Sequence, residues 1–123
     1  MISKINIGVD HFLNLKMYKI PSHYLKKIKK KYPSVNFRPV NIPNKKYAYK
    51  NIDIYWGNRI TTKIITKSKK LKWIHFGSVG VERASCKDTL KRKILITNSK
   101  GIMTDSLVAS ALAYITCLSR SFH

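Results

Sequence analysis

The chain has 123 residues, 44% of them apolar and 24% charged, which suits one globular domain and argues against disorder along its whole length. Its 25 basic residues against 5 acidic ones leave a net charge of +20. The carboxylates are Asp10, Asp53, Glu82, Asp88 and Asp105, too scattered to make a carboxylate metal site or a paired acid–base site. No apolar run approaches the ~20 residues of a membrane span, and no apolar stretch before a cleavage site opens the chain. Cys86 and Cys117 lie far apart without C-x-x-C spacing, so the expectation is a reduced, cytoplasmic setting with no membrane partner.

Lys4 to Val9 alternates in polarity and predicts a first strand. Pro21 and Ser22 open a helix, with Ser22 as N-cap, and Pro33 ends it near Tyr32. Tyr24, Leu25, Ile28 and Tyr32 share its inner face; Lys26, Lys27, Lys29, Lys30 and Lys31 take the solvent side. Val35 to Val40 predicts a second strand, which Pro39 places near an edge. Asn41 to Lys50 is polar, contains Pro43 and reads as loop. Ile52 to Gly57 is a compact apolar strand, and Thr61 to Lys70 a short helix turning Ile60, Ile64 and Ile65 inward. Leu71 to Gly77 and Ile94 to Thr97 are further strands. Near-continuous apolar strands separated by helices predict an α/β fold, a parallel sheet with helices on both faces. From Thr104 to Arg120, Leu107, Val108, Ala111, Leu112, Ile115 and Leu118 form one apolar stripe on a long final helix. Thr104 or Asp105 caps its start, and Arg120 suits its negative end.

A strongly basic chain invites a nucleic-acid reading, because basic surfaces bind phosphate chains by releasing counterions. The excess here is nearly all lysine, whereas base readers lean on arginine. Lysine, isoleucine and asparagine rising together is what an AT-rich coding sequence produces, and nucleic acid is therefore not the expected partner.

The stretch from Phe76 to Ala84 follows a strand, and Gly77 and Gly80 leave room for a ligand at the backbone. Successive amides at such a turn form a small anion nest that fits a carboxylate or phosphate. A plain tight turn is the competing reading. His75 reads as a structural histidine near that turn, with a substrate contact left open; Arg59 reads as a surface arginine. His11, His23 and His123 have no ligand spacing, and no metal is expected. Trp56 and Trp73 read as core or interface aromatics.

Several pieces occur in one order: Leu71-Lys72-Trp73-Ile74, Ser78-Val79-Gly80-Val81, Ile96 to Asp105, Leu107-Val108-Ala109 and Arg120. Together they resemble the D-isomer-specific 2-hydroxyacid dehydrogenases over about Asp53 to Arg120. Ser110, Lys100 and Glu82 depart from that pattern, where the family usually has Glu, Pro and Asp. The resemblance implies a flavodoxin-like substrate-binding domain over residues 1–100. Residues 101–123 would be a crossover segment and interdomain helix leading to a nucleotide-binding domain outside this chain. Backbone amides of Ser78, Val79 and Gly80 would hold the carboxylate of a small 2-oxo or 2-hydroxy acid. Met103 and Thr104 would lie near the nicotinamide. The full-length enzyme would use NAD or NADP and form a homodimer. The glycines are Gly8, Gly57, Gly77, Gly80 and Gly101, so no G-x-G-x-x-G occurs. The family's carbonyl-polarising arginine and proton-transferring histidine–glutamate pair also have no counterpart here. The chain alone is thus expected to bind no cofactor and to carry no catalytic residue. A stand-alone anion- or protein-binding module, or a basic nucleic-acid-binding protein, are the alternatives.

Overall fold

The computed structural model describes residues 4–10, 20–40 and 49–122. Five parallel strands make one sheet in the order β2-β1-β3-β4-β5: β1 (Ile5–Asp10), β2 (Val35–Val40), β3 (Ile54–Trp56), β4 (Trp73–His75) and β5 (Leu95–Thr97). Among the described residues four α-helices accompany them: α1 (Ser22–Lys31), α2 (Thr62–Lys67), α3 (Lys87–Lys91) and α4 (Thr104–Ser119); a 3₁₀ turn spans Glu82–Ala84. The α/β class, the all-parallel sheet and the long last helix agree with the sequence reading. The chain leaves β1 in one direction toward β2 and in the other through β3 to β5. Right-handed crossovers then put α1 on one face of the sheet and α2 and α3 on the other. This strand order is the flavodoxin-like one.

Paired residues of a parallel sheet point the same way, so register sorts the side chains. Tyr55 pairs with Ile74, and Ile74 with Ile96, on the face of α2 and α3. Tyr55 and Ile74 are fully buried there with Ile60, Ile64 and Ile65 of the α2 segment, and with Ile52, Leu71, Phe76 and Ala84. Each such side chain contributes about 1.5–3 kcal/mol through burial. The other face carries Ile54, Trp56, Trp73, His75, Leu95 and Thr97. It is far less covered: Trp73 and Leu95 are 37% and 57% exposed.

Three expectations need correction. Ser22 is the first helical residue, not the N-cap; Pro21 holds that position without a side-chain bond, and the Tyr24 amide donates to its carbonyl. Proline's fixed φ suits a helix entrance. The inner face of α1 is also only partly sunk: Leu25 and Ile28 are half-buried, while Tyr24 and Tyr32 are more than half exposed. The cause is that α1 rests on β2, an edge strand with little surface to offer. Finally, Met103 is the N-cap of α4 and makes no side-chain bond, so neither Thr104 nor Asp105 caps it. All of α4 is exposed, including the stripe from Leu107 to Leu118. Residues 41–48 of the expected loop lie outside the described residues, as do His11 and His123.

The connectivity also sorts charge. Each of α1 to α3 leads within a few residues into the start of a strand, so their C-terminal ends gather at the edge where strands begin, the amino edge. Lys29, Lys30 and Lys31 end α1 there. Lys67, Lys69 and Lys70 follow at the end of α2, and Lys91 and Lys93 at the end of α3. Lys4 and Lys72 precede β1 and β4.

Candidate functional site at the carboxyl edge

In open parallel sheets ligands bind beyond the carboxyl ends of the strands, at the point where the strand order reverses. Here that point lies between β1 and β3, and the residues beyond it come from β1, β3, β4 and β5.

β1 ends in Asp10, 5% exposed. Its Oδ2 accepts the Tyr55 hydroxyl at 2.7 Å and the Arg59 amide at 3.0 Å. Among the described residues its Oδ1 has no hydrogen-bond partner, nor has the buried Oδ1 of Asn58. A buried unpaired acceptor costs on the order of 1–3 kcal/mol, so this edge holds hydrogen-bonding capacity in reserve. Gly57 is required beside it: a Cβ there would lie 2.4 Å from Asp10 Cβ.

β4 ends in His75, and Phe76 plugs the core beneath. The loop from Gly77 to Gly80 then runs over the surface. Gly77, Val79 and Gly80 are exposed and Ser78 is half-buried. The loop is stapled to the residues after β5. The Asn98 amide group donates to the Val79 carbonyl at 2.6 Å, and the Ser99 amide donates to the Ser78 carbonyl at 3.2 Å. Ser99 Oγ donates to the Phe76 carbonyl at 3.1 Å. These bonds use the loop's carbonyls. Among the described residues the backbone N–H groups of Ser78, Val79 and Gly80 donate to no acceptor. The Ser78 and Val79 carbonyls are thus engaged while the loop's amides are not, which is the pairing an anion needs.

His75 is fixed from the side. Trp73 Nε1 donates to Thr97 Oγ1 at 2.9 Å, and His75 Nδ1 lies 2.8 Å from the same oxygen. An indole N–H only donates, so Thr97 accepts from Trp73; its own proton is then available to His75 Nδ1. This assignment gives the indole N–H, the Thr97 hydroxyl and His75 Nδ1 a partner each, and favours the tautomer with its proton on Nε2.

Met103 and Thr104 sit at the start of α4, both exposed. No hydrogen bond joins them to the loop of Ser78 to Gly80. The Arg59 backbone joins the site through Asp10. Sequence reasoning missed Asp10 and Asn58. A lone acid at a strand end carries no spacing signal, and its partners arrive 45 and 49 positions later. It also missed Arg92, whose guanidinium donates to the carbonyls of Ile65, Ser68, Lys69 and Leu71 and closes the end of α2. Among the described residues no three histidine, cysteine or acidic side chains are grouped to hold a metal, and no helix is long and apolar enough to cross a membrane.

Solved structures include neighbours of this fold. The fold is similar to that of a phosphoglycerate dehydrogenase from Lactobacillus plantarum, with a TM-score of 0.56 and 22% identity over 95% of this chain. The chain spans 36% of that protein's length. At this identity the likeness shows a shared fold. No family model and no curated protein matches the sequence.

Proposed function

We propose that this chain is the substrate-binding part of an NAD- or NADP-dependent D-2-hydroxyacid dehydrogenase, or 2-oxoacid reductase. The observation that carries the reading is the row of unengaged amides at Ser78, Val79 and Gly80, at the carboxyl edge of a sheet whose neighbour in fold is a dehydrogenase. A substrate carboxylate placed over these amides is held by charge-assisted hydrogen bonds, stronger than neutral ones. Bonding to two or three N–H groups fixes its orientation, a positioning role.

The residues present do not form a dinucleotide cradle. The glycines lack the required spacing, and Met103 and Thr104 lie exposed at an uncapped helix start. The hydride chemistry belongs to the cofactor, which a further domain beyond residues 101–123 would hold, with Met103 and Thr104 brought toward it through the crossover. The exposed stripe of α4 supports this interdomain role. The complete enzyme would act as a homodimer in the cytoplasm.

The test is a titration of the isotopically labelled chain with glyoxylate, followed by amide resonances. Saturable shifts are expected at Ser78, Val79 and Gly80, and none with glycolaldehyde, which lacks the carboxylate. Equal response to both compounds, or shifts confined to other loops, refutes the reading. NADH oxidation with glyoxylate is expected to be undetectable for these residues alone.

A further inference from the structure

We propose that the amino edge of the sheet, opposite the candidate acid site, binds single-stranded nucleic acid, with one base stacked in a cavity walled by Trp73. The inference is independent of the dehydrogenase reading and rests on the placement of charge and shape.

The cavity has a volume of about 450 Å³ and is lined by Lys4, Asn6, Asp53, Lys70, Lys72 and Trp73, with Ile5 and Ile54 completing an apolar wall. That volume lies within the roughly 300–1,000 Å³ of small-molecule sites. Ile5, Ile54 and Trp73 sit on the poorly covered face of the sheet. The lysines project from the chain just outside the strands. Among the described residues the side chains of Lys4, Lys70 and Lys72 have no hydrogen-bond or ion-pair partner, so their charge is available to a ligand. Asp53 is the acid here; Oδ2 accepts the Asn6 amide at 2.8 Å, and Oδ1 is left to accept from a base amine or a ribose hydroxyl.

Composition alone explains a lysine excess but not its position. A coding bias scatters lysines, whereas here the ends of α1, α2 and α3 add theirs to those of the cavity. The result is a basic arc along one edge with a concave aromatic site in it. An anionic membrane meets a flat basic surface equally well, but does not need a cavity that admits a ring beside an exposed tryptophan. Single strands bind through such a pairing, a basic track for phosphates and an aromatic platform for bases. Asp53 in the cavity and Gly57 at the opposite edge flank β3 and stand about 13 Å apart at ~3.3 Å per residue, so the two ligands would not compete.

The test uses the whole chain and a fluorescein-labelled twelve-nucleotide oligouridylate, read by anisotropy from 50 to 300 mM salt. Trp73→Leu is expected to weaken binding about tenfold with the salt slope unchanged. Lys70→Ala with Lys72→Ala is expected to reduce that slope by about 1.4, at ~0.7 per phosphate contact. Lys63→Ala with Lys87→Ala removes the same charge from the other edge and is expected to leave the slope within about 0.3. The proposal is overturned if Trp73→Leu binds like the parent chain, or if the Lys63 and Lys87 pair matters as much as Lys70 and Lys72. It is overturned equally if the oligonucleotide does not bind at 100 mM salt, or if phosphatidylserine vesicles bind the Trp73→Leu chain as tightly as the parent and displace the oligonucleotide from both alike.

Discussion

Replacing Arg92 by alanine tests how the frame behind the candidate site is held. Nη1 donates to the Ile65 carbonyl at 2.8 Å; Nη2 donates to Ser68 and Leu71 at 2.8 Å each and to Lys69 at 3.2 Å. Nη2 has only two N–H groups, so the set amounts to about three full bonds. Hydrogen bonds from a charged donor contribute ~1.5–3 kcal/mol each; Arg92 is half-buried, and about 1 kcal/mol each is the suitable figure after screening. The expected loss is therefore about 3 kcal/mol. With a urea m-value of ~1.5 kcal/mol per molar, the unfolding midpoint falls by about 2 M. Relief of repulsion in a chain of net charge +20 works the other way. Lys91→Ala removes the same charge from an exposed neighbour and isolates that contribution. Arg92→Lys, with one ammonium in place of the fork, is expected to keep less than half of the stabilisation. A loss under about 1 kcal/mol for Arg92→Ala, or one equal to that of Lys91→Ala, would refute the reasoning.

Gly57→Ala places a Cβ 2.4 Å from Asp10 Cβ and is expected to cost about 2–3 kcal/mol in thermal unfolding. Gly101 has φ +91° with open space around it, so Gly101→Ala is expected to cost about 1 kcal/mol through backbone strain alone. Leu112→Ser is expected to change stability by less than about 0.5 kcal/mol, because Leu112 is 60% exposed; a larger loss in urea denaturation would mean the helix packs on the body of the fold. Thr97→Val removes the oxygen shared by Trp73 and His75. Nitrogen chemical shifts of the His75 ring are expected to move from a single Nε2–H form to a mixture of tautomers.

The sheet was legible because its strands are short apolar runs bounded by turn residues, and all five were placed to within a few residues. β3 and β4 are shorter than their apolar runs, since Ile52, Leu71 and Phe76 fill the core from just outside the ladder. α3 left no readable pattern: its five residues hold one large apolar side chain, Leu90, which is 77% exposed. The loop at Ser78 to Gly80 was legible from two glycines following an apolar strand. Its anchoring was not, because that depends on Asn98 and Ser99 reaching back from the next strand. The stripe on α4 could be read from periodicity, yet periodicity says which side chains align and nothing about what they meet.

That last helix gives the molecule two separate melting behaviours. A 16-residue segment without burial depends on its own helix–coil equilibrium, which is marginal in water at this length. Its amides are expected to exchange with solvent far sooner than those of β3 and β4, and a protease would trim it while leaving the sheet whole. Whatever surface receives it must then supply the ordering free energy, of the order of 2–5 kcal/mol for such coupled folding. The tail thus trades tightness of attachment for ease of release.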